Sequence, residues 1–330
     1  MSFSYIVNEE RDPAFNLALE ETLFEKAVQT RNGFLMLWSN LPVVVVGRYQ
    51  NAAEEVKLPF VREKHIRVVR RMSGGGAVYH DSGNLNYTII TPAVGRLDVR
   101  AFGEPLVAFL CSLGVDAQLS GRNDVTVCGR KISGVAQYVR EGIALHHGTI
   151  LFDSALDIVE MALNVNAEKF QSKGFKSVRS RVTNLRPFLN AAVNIEQFRE
   201  SFAASLRDYY GTETIRVPDR EELARASALA ADKYSSDGWT WEQSPPFSVK
   251  NKRRFAAGAV QLALVVQDGR VADARVSGDF FSSGGVEEVE RALIGQLYPF
   301  GDLRATLPDE LLSNAFLGID VEQLRTFFSE

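Results

Sequence analysis

The chain has 330 residues, 45% of them apolar and 24% charged, the composition of an ordinary globular protein with room for about two domains and a deep ligand cleft. Lys and Arg total 37 against 41 Asp and Glu, a net charge of −4. A general nucleic-acid binder carries a basic excess, so that class is argued against, and no run reaches the roughly 18 uninterrupted apolar residues of a membrane span. The start, Met1-Ser2-Phe3-Ser4-Tyr5, lacks the charged and apolar regions of a signal peptide, and the chain reads as cytoplasmic. Its two cysteines, Cys111 and Cys128, form no metal-ligand spacing.

In chain order, Asp12-Pro13 supplies an N-cap and a first-turn proline, and Phe15, Leu19, Leu23 and Ala27 recur at helical spacing. Short apolar runs at 34–38, 43–46 and 66–69 read as buried strands. Residues 77–80 and 85–90 flank the turn-rich Asp81-Ser82-Gly83-Asn84 and read as a hairpin, with a glycine run in the loop leading into it. A helix is expected over 101–113, ending at Gly114. Strands follow at 125–128, 131–139 and 143–152, then a helix capped by Ser154 and running to about 163. Asn194 and Gln197 form a capping box ahead of Phe198, Phe202 and Leu206.

Segment 234–246, with Ser, Gly and two adjacent prolines, reads as a linker. Beyond it, strands at 255–266 and 270–277 join at Asp268-Gly269, and helices are expected near 286–297, 308–313 and 321–328. Hairpins and helices without a βαβ rhythm indicate an α+β fold. There is no internal repeat. The basic run Lys250-Asn251-Lys252-Arg253-Arg254 reads as a solvated face.

The residues that could carry chemistry gather in a few stretches. Arg70-Arg71-Met72-Ser73-Gly74-Gly75-Gly76-Ala77-Val78-Tyr79-His80-Asp81 sets three glycines behind two arginines, so backbone N–H groups can approach an anion closely. A bare glycine triplet is more often a turn, but here cationic, hydroxyl and apolar groups flank it. Neither a P-loop nor a Rossmann fingerprint is present. Gly121-Arg122-Asn123-Asp124 and Gly129-Arg130-Lys131-Ile132-Ser133-Gly134 follow, then His146-His147-Gly148-Thr149 and the basic segment Ser177-Val178-Arg179-Ser180-Arg181-Val182-Thr183-Asn184. Taken singly, a strand lysine is usually solvated, Asn-Asp is often a turn, and a histidine in an apolar strand is often a satisfied core group.

Together these stretches resemble the lipoate-protein ligase A family, of the class II biotinyl/lipoyl protein ligase superfamily. The resemblance runs from about Asn16 to the C-terminus. It implies a mixed-sheet catalytic domain over 1–240 that forms the adenylate and transfers the acyl group, and a small α/β accessory domain over 247–330. The implied substrates are ATP and lipoate or octanoate, with Mg²⁺. The implied carriers are lipoyl domains of 2-oxoacid dehydrogenase complexes or the glycine-cleavage H protein, with no nucleic acid and no membrane.

The resemblance also assigns residues. Lys131 is the catalytic group, contacting both the α-phosphate and the substrate carboxyl. Arg71, Ser73, Gly74, Gly75, Gly76, Asn123, Asp124, Arg179 and Arg181 bind ATP and the adenylate, with Asp124 helping to hold Mg²⁺. Gly76, Ala77, Val78, Tyr79, His80, Ser133, Gly134, His147 and Gly148 bind the lipoyl chain. The segment from Lys173 to Asn184 is a lid over the adenylate. The alternative is an ATP-independent octanoyl or lipoyl transferase with a cysteine nucleophile, for which Cys128 lies three residues from Lys131. A biotin ligase carries a different arginine-glycine cradle, and a non-catalytic carrier-binding protein would not need this site.

Overall fold

The computed structural model describes residues 2–93, 99–121, 123–164, 181–241, 249–267, 269–298 and 300–329. It is α+β, as the pattern of elements indicated. An eight-stranded mixed sheet runs in the order β11-β1-β2-β6-β10-β9-β8-β7. Its strands are β1 (Phe3–Val7), β2 (Gly33–Trp38), β6 (Asn84–Pro92), β7 (Ala117–Ser120), β8 (Asp124–Val127), β9 (Arg130–Arg140), β10 (Ile143–Leu151) and β11 (Ile215–Arg216). A second sheet, β4-β3-β5, comprises β3 (Val43–Val46), β4 (Arg67–Arg70) and β5 (Val78–His80).

The large sheet is buried on both faces, which explains why β2 reads as continuous Gly-Phe-Leu-Met-Leu-Trp rather than as an alternation. Leu35 and Leu37 point into one core, packed with Phe109 from helix Glu104–Ser112 and with Phe198 and Phe202 from helix Ile195–Tyr210. Phe34, Met36 and Trp38 point into the other, under helix Pro13–Thr30. Asp12 caps that helix through Phe15 N at 2.9 Å, and the Asn194–Gln197 capping box forms in full.

Several expectations are corrected. Residues 77–80 and 85–90 do not form a hairpin, because β5 pairs with β3 while β6 lies between β2 and β10. The turn at 81–83 carries the chain from one sheet to the other, and the gap so opened becomes the cavity described below. Ser154 does not cap the following helix, Leu156–Ala162, which has Ala155 at its N-cap and no side-chain cap. The Ala155 N–H instead donates to Asp81 Oδ2 at 2.8 Å, a partner remote in sequence. Expected helix 101–113 is a 3₁₀ turn, Val99–Gly103, followed by a helix with Pro105 in its first turn. Strands β1, β7 and β11 were not anticipated.

After residue 248 a third sheet, β12-β13-β14, joins β12 (Val249–Phe255), β13 (Gly258–Gln267) and β14 (Arg270–Gly278) around a separate core under helices Val286–Leu293, Asp309–Ala315 and Val321–Ser329. The expected strand 255–266 is β13, which begins at Gly258 after a turn at 256–257, and the basic run lies in β12, which was not anticipated. Asp268, half of the anticipated turn, lies outside the described residues, as does the 242–246 part of the expected linker; its earlier part is not a linker but ends one helical turn at the buried Tyr234 and forms the helix Asp237–Trp241. No helix among the described residues is long and apolar enough to cross a membrane.

Candidate active site

A cavity of about 450 Å³ opens over the face of the large sheet that helix Pro13–Thr30 also covers, a volume typical of small-molecule sites. Its floor is one row of the sheet. Trp38 of β2 stands opposite Asn86 of β6, Asn86 opposite Thr149 of β10, and Thr149 opposite Gly134 of β9. All four line the cavity. At about 4.8 Å per strand the row spans ~14 Å, so the cavity is a trough lying across the strands.

At the β9 end the charges collect. Lys131 Nζ is 2.7 Å from Asp124 Oδ1, and Arg181 Nη2 is 3.4 Å from Asp124 Oδ2. The carboxylate thereby holds two cations at the mouth. Arg181 is brought there by Val182, which bridges to Lys131, and by Thr183 N donating to Lys131 O at 2.9 Å. Gly134 leaves room for the ammonium: a Cβ there would lie 2.5 Å from Lys131 Nζ and displace it. Asn123 also lines the cavity, its Nδ2 donating to Val135 O. Arg179 and the rest of 165–180 lie outside the described residues, and so does Arg122.

The second sheet and the glycine run form the opposite wall. Gly75, Gly76, Ala77, Val78, Tyr79 and His80 line the cavity, as does Val45. Gly75 has φ 89°, and a Cβ on Gly47 would fall 2.1 Å from Gly75 O, so glycine is needed at both positions. Arg71 lines the cavity but is only 5% exposed, with Nη2 donating to Gly74 O and Gly76 O, Nη1 to Val45 O and Nε to Ser73 Oγ. It shapes the loop from within. Arg70 is buried too and donates to five carbonyls, those of Gly47, Arg48, Gln50, Trp239 and Thr240. Ser73, Gly74 and Ser133 are not among the cavity-lining residues.

Beneath the trough lies a polar chain that the sequence did not disclose. His147 Nδ1 donates to Glu20, with Oε1 and Oε2 at 3.1 and 3.0 Å, and His147 Nε2 meets Ser73 Oγ at 2.6 Å. Thr88 Oγ1 donates to Glu20 Oε1 and accepts from Trp38 Nε1. Arg71 Nε donates to the same Ser73 Oγ, so the hydroxyl links the imidazole to the guanidinium. Burial lowers the Arg71 pKa to about 10, opposed by the Glu20 charge, which leaves the guanidinium cationic at neutral pH. Glu20 is one of several polar residues in its helix, beside Glu21 and Thr22, and carried no sequence signal of its own.

Burial also pushes His80 down to about 3 from an ordinary 6.5, with Arg71 and His147 nearby adding to the effect, and it pushes His146 well down. Both rings are therefore neutral in the fold, while the unfolded chain binds protons as pH falls below 6.5. Stability should accordingly be lost on acidification from about pH 6.5 downward, by up to ~1.4 kcal/mol per pH unit for each such histidine. Urea unfolding at pH 7 and pH 5 checks this, and a midpoint unchanged over that interval would contradict it.

Five cavity residues come from beyond residue 248: Arg254, Ala256, Gly258, Asp279 and Phe281. Arg254 pairs with Asp279 at 3.6 Å, so the run read as a solvated face reaches the site at its last residue. The loop after β14 is tied to the glycine run by Gly75 N donating to Phe280 O, and the end of β14 is tied to the segment after β3 by Gly278 N donating to Tyr49 O. Cys128 is elsewhere. It is exposed in the β8–β9 turn at φ 50° and does not line the cavity.

Comparison with known proteins places this geometry. The sequence model described as lipoyl protein ligase A/B catalytic domain matches residues 12–207, and that of the bacterial lipoate protein ligase C-terminus matches 244–328. The chain is 40% identical over 294 residues to lipoate-protein ligase LplJ of Bacillus subtilis, covering 87% of this chain and 88% of that one. It is 38% identical over 315 residues to lipoate–protein ligase 1 of Staphylococcus aureus, covering 95% of each. Among solved structures, P. falciparum LipL1 in complex with lipoate is similar in fold, with TM-score 0.83 at 22% identity over 99% of both chains. A lipoate-protein ligase A bound with ATP matches at TM-score 0.65 and 26% identity, over 73% of this chain and 99% of that one. The bi-partite lipoate protein ligase of Thermoplasma acidophilum, described with its E2 lipoyl domain, matches at TM-score 0.65 and 28% identity, over 76% of this chain and all of that one.

Proposed function

The chain belongs to the lipoate-protein ligase family, and on that premise we propose how its own residues divide the reaction. The protein is an ATP-dependent lipoate-protein ligase, which joins lipoate to a lysine of a lipoyl domain. The observation that carries the residue assignment is the polarity of the trough. Its Lys131–Asp124–Arg181 end is charged, and its floor and far wall present Trp38, Val78, Tyr79 and Val45. A carboxylic acid with a long apolar tail matches both ends.

In the first step a carboxylate oxygen of lipoate attacks the α-phosphorus of ATP, the bond to the β-phosphate bridge breaks, and pyrophosphate leaves. The acid is already ionised at neutral pH, so no base is required. Lys131 and Arg181 offset the charge that builds between the two anions, and the Gly75 and Gly76 region bounds the ligand opposite. Arg71 acts through the loop, by holding the carbonyls of Gly74 and Gly76. Asp124, the carboxylate at the charged end, would be the residue to hold a Mg²⁺ ion, which would supply further charge neutralisation.

In the second step the carrier lysine, as free amine, attacks the acyl carbon of the mixed anhydride. The acyl–oxygen bond breaks, AMP departs and the amine loses its proton. The glycine-cleavage H protein and the lipoyl domains of 2-oxoacid dehydrogenases are the carriers in this reading. Residues 1–240 carry the chemistry, 247–330 form the accessory domain, Arg179 joins Arg181 on the adenylate, and the cytoplasm, where ATP is supplied, is the location. ATP-dependent release of pyrophosphate on adding lipoate tests the proposal, and lipoylation without ATP would refute it.

The position of Cys128 in an exposed turn outside the cavity removes the support for a thiol nucleophile. Cys128→Ser should therefore retain most ligase activity. Mass spectrometry after incubation with acylated carrier should find no acyl group on Cys128; an adduct together with lost activity would reassign the protein to the transferases.

A further inference from the structure

At the end of the trough away from Lys131, His80 presents a polar atom with no partner among the described residues. His80 is 3% exposed and lines the cavity, and its Nε2 is buried and unsatisfied. Which ring nitrogen carries the proton is decided by a chain of amides. Asn16 Nδ2 lies within hydrogen-bond distance of Glu10 O, Ser39 O and Asn40 Oδ1, while Asn16 Oδ1 accepts from Asn8 Nδ2. The two main-chain carbonyls fix the orientation of the Asn16 amide, which therefore faces Asn40 with its N–H group. Asn40 must answer with its oxygen and so turns its own Nδ2 to His80 Nδ1, 3.0 Å away.

His80 Nδ1 is thus an acceptor, and the ring proton resides on Nε2. Burial keeps the ring neutral. The result is a rigid N–H donor in the cavity wall, beside the edge-on ring of Trp38. Asn86 in the floor also leaves one amide atom unpaired, since it meets Asn84 through Oδ1 alone. A saturated hydrocarbon tail cannot answer either group. Buried donors left unmade are costly.

We propose that His80, its tautomer set by the Asn8–Asn16–Asn40 chain, donates its Nε2–H to a sulfur of the dithiolane ring and so selects lipoate over octanoate. This rests on the ligase reading above. Octanoate has the same eight-carbon chain but only hydrogens where lipoate carries its two sulfurs, and a sulfur is a weak acceptor. Apolar shape alone discriminates the two poorly; a buried donor raises the discrimination because the wrong tail strands it.

The experiment measures kcat/KM for acyl-adenylate formation with each acid, in the full-length protein and in its His80→Phe and His80→Gln variants. The wild type should prefer lipoate. His80→Phe, which keeps a ring without the donor, should lower the lipoate-to-octanoate ratio about tenfold, and His80→Gln, whose side-chain amide can restore an N–H, should recover part of it. ¹⁵N NMR of the wild-type imidazole should show the Nε2–H form, with a shift on adding lipoate that octanoate does not produce. An unchanged ratio in folded His80→Phe, or a ring protonated on Nδ1, overturns the proposal; if His80→Phe does not fold, the NMR result decides. Failure of the wild type to release pyrophosphate with either acid would overturn the ligase reading instead.

Discussion

Lys131→Ala is expected to lower adenylate formation and transfer from preformed lipoyl-AMP by about 10²-fold or more each, with the fold intact. The ammonium stands at the mouth of the trough, 24% exposed and held 2.7 Å from Asp124, and in the proposed mechanism it offsets the charge that develops in both steps. Lys131 is not among the buried core residues, so its truncation should leave the core packed. Gly134→Ala gives an independent check, because the new Cβ would overlap Lys131 Nζ and Cε at 2.5 and 2.8 Å and force the ammonium aside without removing it. Single-turnover assays of each half-reaction, with circular dichroism as the control for folding, read the outcome. Near-normal turnover in a folded Lys131→Ala protein would end the assignment.

Glu20→Leu is expected to be the most destabilising change in the site, at about 3–5 kcal/mol, the range for removing one partner of a buried ionic pair. Glu20 is 1% exposed, and it is the carboxylate that accepts from His147 and Thr88 and lies in the field of Arg71. Leucine would leave the buried guanidinium without its counter-charge and two buried donors without an acceptor. The consequences should spread along the chain from His147 through Ser73 and Arg71 to the glycine run. Urea denaturation of Glu20→Leu and Glu20→Gln measures this, with Gln expected to lose less because it can still accept from one donor. A loss under about 1 kcal/mol in Glu20→Leu would show that the network is not built around this charge.

Much of the architecture follows from local signals. The helix from Pro13 has its cap and proline adjacent in sequence, the helix from Ile195 has its capping box, and β2 and β3 are bounded apolar runs. The glycine run, Lys131, Asp124 and Arg181 are recognisable because their chemistry is concentrated in short motifs. In each case the interactions that decide the element lie within a few residues of one another.

Tertiary structure decided the rest. Asn84, Asn86 and Thr88 alternate with Leu85, Tyr87 and Ile89, a pattern that in an isolated strand means one solvated face. Here a helix and the second sheet cover that face, so the polar side chains are buried and become part of the cavity and its supporting chain. Strands 78–80 and 84–92 parted for a related reason: β5 found its partner in β3, some thirty residues earlier, and turn propensity says nothing about which sheet a strand will join. Glu20, His80's tautomer and the Arg254–Asp279 pair depend on groups tens of residues apart, 127 from Glu20 to His147 and 40 from His80 to Asn40. Charge and hydrogen bonding act through space, and only the folded chain brings those partners within reach.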